Sequence, residues 1–346
     1  MAAAIDTLIE SVVKSIILMG FLLLAFAYMT LAERKVVGRM QARYGPNRVG
    51  PLGLLQPIAD GIKLLLKEQI TPREVKMPIW LIAPAISTFV AFMAFAVIPV
   101  GPSFYLWGHE RIMALANVNI GMLYVLAILS LGVYGIVLGA WSSSNRYSLL
   151  GGLRSTAQMV SYELSLGLAL IAVVLLAGTL SPIGIVHAQN HSPLTWFILL
   201  QPVGFVLFLI GGFAETNRAP FDLSEAEQEL TAGYHTEYGG MRFALFFMAE
   251  YVNMVTVSAL LTTLFLGGWV GIGNGIFWNV TAAPWAQLLG VFWFLAKVAF
   301  FLFLYIWVRA TIPRIRYDQL MWFGWKILLP IAVINALLVA LYVSLS

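Results

Sequence analysis

Carboxylates are scarce in this chain, and they are gathered where they could handle protons. Of 16 acidic residues, Glu215, Asp222, Glu225, Glu227, Glu229 and Glu237 fall in one stretch, ETNRAPFDLSEAEQELTAGYHTE, in which Arg218 is the only Lys or Arg. Glu163 and Glu250 interrupt apolar runs, as does Lys297. An ionisable side chain at the centre of a membrane helix costs roughly 2.5–3.5 kcal/mol or more, so such residues face polar interiors and mark proton or ion pathways. Asp222, Glu225 and Glu229 stand at i, i+3 and i+7, on one face of a helix, where like charges repel and come to share protons. The pattern predicts a path for protons or a cation, running from the 215–237 cluster to Glu163 and Glu250. Carboxylates in the first turn of a helix also stabilise its dipole, but continuation into the apolar runs favours the path. Lys297 could equally serve as the structural ion partner of one glutamate.

The elements that must position these residues are membrane helices. The chain of 346 residues is 60% hydrophobic and 10% charged, far below the roughly 25% charged residues of a soluble domain. Apolar runs of bilayer-spanning length, about 20 residues, occur near 11–31, 79–100, 115–140, 156–178, 194–214, 243–267, 286–308 and 327–345. The expected fold is therefore an all-α integral membrane protein of eight transmembrane helices in one polytopic domain over 1–346. Nine Lys and Arg lie between the first two spans, and the odd-numbered connections together hold all but Lys14, Arg111 and Lys297. By the positive-inside rule those connections are cytoplasmic, and both termini face the other side.

Two connections are more than links. In the basic one, 33–77, a Gly- and Pro-rich turn precedes Leu54, Leu55, Ile58, Ile62, Leu65 and Leu66 at helical spacing, with Asp60, Lys63 and Lys67 off that face. That is an amphipathic helix lying at the membrane interface, too short and too charged to cross. In the acidic one, 215–242, Ser224 with Glu227 and Asp222 with Glu225 form overlapping capping boxes, so a helix is expected to start near 222–224.

Composition also excludes chemistry. With no cysteine, the chain can supply no thiolate for an iron–sulfur cluster or zinc site. None of the four histidines falls in a predicted span, and His187 with His191 do not make a metal site. GIGNG at 271–275 lacks the spacing of a dinucleotide fingerprint, and no phosphate-binding loop is present.

Four passages carry a resemblance: ERKVVGRMQARYGPNRVGPLGLLQPIADGIKLLLKE (33–68), GAWSSSNRYSLLGGLRSTAQMVSYE (139–163), AETNRAPFDLSEAEQELTAGYHTEY (214–238) and RATIPRIRYDQLMWFGWK (309–326). In these and through nearly its whole length the chain resembles the NuoH family, membrane subunits of proton-pumping NADH:quinone oxidoreductases, respiratory complex I. The resemblance implies an eight-helix subunit of the bacterial inner membrane with periplasmic termini, joining the membrane arm to the peripheral arm. It implies a quinone chamber or entry around Glu33, Arg34, Arg43, Asp60, Lys63, Phe243 and Arg309. It also implies a proton path through Glu163, Glu215, Asp222, Glu225, Glu227, Glu229, Glu237 and Glu250, with Lys297 on the membrane side. Quinone would be the substrate; iron–sulfur clusters, flavin and NADH would sit in partner subunits. Beyond those subunits the expected contacts are membrane lipid and no nucleic acid, with no independent activity for the chain alone. Many relatives carry a glutamate in the third helix where this chain has Gly132, so that part of a relay is absent or replaced by water. A homologous subunit of a membrane-bound hydrogenase or related dehydrogenase is the nearest alternative, and a free-standing proton-coupled transporter a more distant one.

Overall fold

Long apolar stretches can satisfy their backbone hydrogen bonds inside a bilayer only as helices or closed barrels, and this chain forms helices. The computed structural model describes residues 2–106, 109–190, 195–222, 232–271 and 284–345. In chain order the helices are α1 (Ala2–Met40), α2 (Gln56–Leu66), α3 (Met77–Phe95), α4 (Gly121–Ser142), α5 (Arg146–Ala177), α6 (Pro182–Ala188), α7 (Phe197–Leu200), α8 (Pro202–Glu215), α9 (Gly240–Phe265) and α10 (Pro284–Thr311). The last, α11, runs continuously over Tyr317–Leu345 and contains a π-helical turn at Gly324–Leu328. A two-stranded antiparallel hairpin pairs Phe104–Leu106 with His109–Arg111.

Among the described residues seven helices are long and apolar enough to cross a membrane, and Pro202–Glu215 is a shorter apolar one. The fifth expected span, 194–214, thus differs from its prediction. It is broken at Gln201, whose backbone leaves the helical region before Pro202 starts α8. α5 also departs: its Asn145 cap accepts from Tyr147 N at 2.9 Å, so the helix begins ten residues before the expected span. Lys326, expected in a connection, is instead within α11.

α9 is the axis of the protein. Of its most apolar stretch, 72% is buried inside the protein, against 17% for α1 and for α11. α3, α8 and α10 pack on α9, while α4 joins α3 to α5, and α5 in turn meets α8 and α11. Small residues allow the close approaches that stabilise helix packing in lipid. A Cβ on Gly212 of α8 would lie 2.4 Å from Val257 Cγ1 of α9, and one on Gly135 of α4 would lie 2.0 Å from Ser87 Oγ of α3.

α2 forms where predicted, and it has no buried residue. Ile58, Ile62, Leu65 and Leu66 stay exposed, so its apolar face is not used for packing within this chain. Arg34 on α1 holds it through Asp60 at 2.7 Å.

At the opposite end from the acidic connection, two polar side chains tie the last turn of α9 to its neighbours. Gln189 donates to the carbonyls of Ile185, Thr263 and Leu264, and its Oε1 accepts from Phe197 N and Gly267 N. Lys297 of α10 donates to Leu266 O, Gly268 O and Val270 O at 2.6, 3.0 and 2.6 Å, and its ammonium lies 4.4 Å from the centre of the Trp196 ring. Hydrogen bonds from a charged donor are worth about 1.5–3 kcal/mol each. Lys297→Met removes all three and leaves their carbonyls without this donor. The expected outcome is a lowered thermal midpoint for the protein in detergent, measured against the unaltered chain.

Candidate functional site

The acidic connection begins as a tightly held turn. Gln158 of α5 donates to Ala214 O at 2.8 Å, to Phe221 O at 2.9 Å and to Asn217 Oδ1 at 3.2 Å. Asn217 sits in the left-handed region with φ 49°, which asparagine tolerates better than most residues, and donates to Ser155 Oγ at 3.0 Å. This grip turns the chain inward after α8 and delivers Arg218 to the interior, where it is only 5% exposed.

Arg218 meets carboxylates from two helices. Its Nε lies 2.5 Å from Glu250 Oε1 on α9, and its Nη1 lies 3.5 Å from Glu33 Oε1 on α1. The guanidinium also covers the Tyr251 ring, 4.1 Å from its centre. Tyr251 Oη donates to Glu33 Oε2 at 2.5 Å, and Arg309, in the last turn of α10, donates to Glu33 Oε1. Burial alone would lower the Arg218 pKa, but Glu250, Tyr251 and Glu33 hold it above the ordinary arginine range. Arg218 is therefore a permanent cation shared by two carboxylates. Beside it, Arg314 Nη2 pairs with Asp222 Oδ2 at 3.0 Å. Burial raises the Asp222 carboxyl despite the opposing pull of Arg314, Arg309 and Arg218.

Two further carboxylates lie near this group. Glu215, at the end of α8, is buried and shares a narrow cavity of about 30 Å³ with Glu250, Asn217, Asn253, Ser87 and Gly132. Glu163 of α5 accepts from Ser130 Oγ of α4. A group of carboxylates held around one fixed cation can bind or release a proton only by changing the balance at its neighbours.

The expected residues divide into groups. Glu33, Glu250, Arg309, Asp222 and Glu215 come together around or beside Arg218. Glu163, partly buried, is close enough to Glu215 to act on it electrostatically. Glu237 stands apart: it accepts from Asn145 at the start of α5 at 2.6 Å and lines a surface hollow with Arg73, Glu74 and Arg146. Glu225, Glu227 and Glu229, with the expected helix start at Ser224, lie outside the described residues. Arg34 and Asp60 are paired, Arg43 donates to Gln41, and Lys63 is exposed on α2. Phe243 stacks on Phe247 with 5.9 Å between ring centres and packs edge-on to His235. Lys297 has carbonyls as its hydrogen-bond partners and no carboxylate among its described ones.

Sequence reading missed Tyr251, Ser130, Gln158 and Asn217 as parts of this site. Tyr251 had a signal, a phenol directly after an intramembrane glutamate. The other three are ordinary polar residues whose importance comes only from what they face.

A helical protein with seven long apolar helices among its described residues, and an arginine and several carboxylates buried among them, is an integral membrane protein built to keep ionisable groups out of water. The chain belongs to the NADH dehydrogenase family, whose family model matches residues 13–340. It is 53% identical to the H subunit of NADH-quinone oxidoreductase from Protochlamydia amoebophila, over 92% of this chain and 93% of that one. It is 54% identical to the same subunit from Thermomicrobium roseum over 95% and 94% of the two chains, and 52% identical to that from Deinococcus deserti over 98% and 85%.

Removing one partner from a buried ion pair costs about 3–5 kcal/mol, because the other charge stays buried. Arg218→Met would do this to Glu250 and leave Glu33 with Arg309 and Tyr251 alone. The expected result is little or no assembled protein in the membrane, read by quantitative blotting of purified membranes, with Arg218→Lys recovering part of the yield.

A second prediction concerns His235, packed among Tyr234, Phe243 and Phe246. Burial lowers its pKa from 6.5 to about 3. Below 6.5 the unfolded chain takes up a proton that the folded one refuses until about 3. The stability linked to neutral His235 is thus present above 6.5 and lost as pH falls toward 3. His235→Phe should flatten the decline in melting temperature between about pH 7 and 5 that this linkage predicts. An unchanged acid slope in the variant would count against it.

Proposed function

We propose that this chain is the membrane subunit of a proton-pumping NADH:quinone oxidoreductase in which quinone reduction is coupled to proton movement. The observation that carries the reading is the sharing of buried Arg218 between Glu33, near the end of α1, and Glu250, within α9. The relatives' name, subunit of an NADH-quinone oxidoreductase, supports membrane-arm and peripheral-arm subunits as its partners. The absence of cysteine is consistent with electrons arriving from iron–sulfur clusters, flavin and NADH held by those partners.

In this reading quinone, entering from the bilayer, reaches a chamber near the outer end of the network. α2 lies at the interface with its apolar face in lipid, braced by Arg34 and Asp60, and Arg43, Lys63 and Phe243 stand around the entry. α7 and α8 together make the eighth crossing. The bias of Lys and Arg puts the odd connections in the cytoplasm and both termini in the periplasm of a bacterial inner membrane.

In the same reading, coupling runs through Arg218. Its two carboxylates lie at 2.5 and 3.5 Å, and two unit charges 4 Å apart interact by about 4 kcal/mol at an effective dielectric of 20. Reduction of quinone takes up protons nearby. A proton drawn from or delivered to Glu33 shifts the pull of Arg218 toward one carboxylate or the other. Glu250 then changes its hold on a proton, and Glu215 and Glu163 pass the demand inward. Asp222, with Glu225, Glu227 and Glu229, supplies protons from the cytoplasmic side.

Glu250→Gln and Glu215→Gln keep shape and hydrogen bonding but cannot ionise. Each should assemble and lose about 10²-fold or more of its quinone reduction and proton pumping, the scale of a removed proton-transfer group. Electron transfer from NADH to a water-soluble acceptor should persist in the same preparations. Full pumping in both variants at normal assembly would sink the reading.

A further inference from the structure

α1 carries Glu33, yet little apolar packing within the chain holds the half of that helix remote from it. Ile16, Ile17, Met19 and Leu24 are exposed. Charges grip this half instead. Glu10 pairs with Lys14, one turn along α1, at 2.7 Å, and with Arg111 of the hairpin. Lys14 also donates to Ile112 O at 2.8 Å. The three side chains keep only 21–25% of their surface exposed, so salt screens them less than open surface pairs.

The hairpin is a firm anchor for this clamp. Val100 N donates to Met113 O at 3.0 Å, and Leu115 N and Ala116 N donate to Ala96 O, just past α3, at 3.2 and 3.1 Å. The base of the hairpin also abuts the start of α10. A Cβ on Gly290 would lie 2.9 Å from Pro102 Cδ, and one on Gly101 2.7 Å from Val291 Cγ2. α10 is the helix whose last turn brings Arg309 to Glu33. α1 and α10 are therefore joined at both ends, through the hairpin at one and by Glu33 with Arg309 at the other. Between Glu10 and Glu33 α1 is one unbroken helix, about 35 Å at 1.5 Å per residue. Its hydrogen bonds fix that rise, so a slide or turn at one end is carried to the other.

We infer that Glu10, Lys14 and Arg111 are positioning residues for quinone reduction, fixing the register and rotation of α1 so that Glu33 meets Arg309 and Arg218. The inference rests on the reading of Glu33 as part of the coupling at Arg218. With the clamp open, α1 is free to slide along α10. The contact first lost is the longer one, Glu33 to Arg218 at 3.5 Å, because Glu250 holds the same guanidinium at 2.5 Å.

The test uses the intact complex. Each rate is divided by NADH oxidation with a water-soluble acceptor, so that differences in assembly cancel. Glu10→Gln keeps shape but removes the charge, and Arg111→Met removes the facing cation. Each should lower kcat/KM for quinone about fivefold, the scale of a partly exposed ion pair, and Arg111→Lys should recover most of the loss. A double-mutant cycle with Glu33→Gln then separates positioning from general stability. Effects at sites more than about 7–10 Å apart normally add. If the clamp acts through Glu33, Glu10→Gln should add nothing once Glu33→Gln is in place. Where Glu33→Gln leaves too little rate to measure, Arg309→Lys, which weakens the same contact, takes its place in the cycle. Should Glu10→Gln not assemble, Lys14→Met enters the cycle with the Glu10–Arg111 pair intact. Normal kcat/KM in both Glu10→Gln and Arg111→Met would overturn the inference, as would effects that simply add. In either case an impaired Glu33→Gln leaves the reading of Glu33 standing while the clamp falls. If Glu33→Gln itself reduces quinone normally, the two fall together.

Discussion

A guanidinium taken out of water must be repaid with opposite charge at close range, and Arg218 imposes that condition on the protein. Desolvating an ion costs several kcal/mol even after relaxation. The requirement draws Glu33 of α1 and Glu250 of α9 to one point, with Tyr251 closing over the guanidinium and Arg309 of α10 balancing the second carboxylate. Three membrane helices thereby meet through charge where apolar surfaces alone would leave their relative rotation loosely specified. Gln158 completes the arrangement from α5 by holding the turn that carries Arg218.

Two sites along α9 show what the choice of partner does to a buried cation. Arg218 faces carboxylates, whose charge can be cancelled by a proton, so its surroundings have more than one electrostatic state. Lys297 faces carbonyl oxygens at the C-terminal end of the same helix. Carbonyls do not titrate, and the negative end of the helix dipole is permanent. The partners of Arg218 are therefore titratable groups, and those of Lys297 are not.

Polar side chains of modest charge do the remaining positioning. Ser130 engages Glu163, Asn217 shapes the inward turn, and Ser87 with Asn253 face the cavity beside Glu215 and Glu250. In lipid a hydrogen bond between helices replaces contacts that water would otherwise supply. Small residues make these approaches possible: Gly135 and Gly212 admit neighbouring side chains, whereas Gly132 leaves space unfilled.

The amino-acid sequence by itself determined most of the spans, the place of the short helix α2 between the first two and the identity of the costly carboxylates. These follow from composition and period, since the penalty for a charge in an apolar run is already present before the chain folds. It left the break at Gln201 unseen, because α7 and α8 together still read as one apolar run. Pairing was decided only by tertiary structure. Glu237 belongs to the start of α5 and not to the inner group, and Lys297 caps α9 instead of meeting a glutamate. Arg218 joins two carboxylates distant from it in the chain. Which helix faces meet is set by rotation and packing along the whole bundle, and a hydrogen bond or ion pair forms only where those faces bring its two halves within about 3 Å.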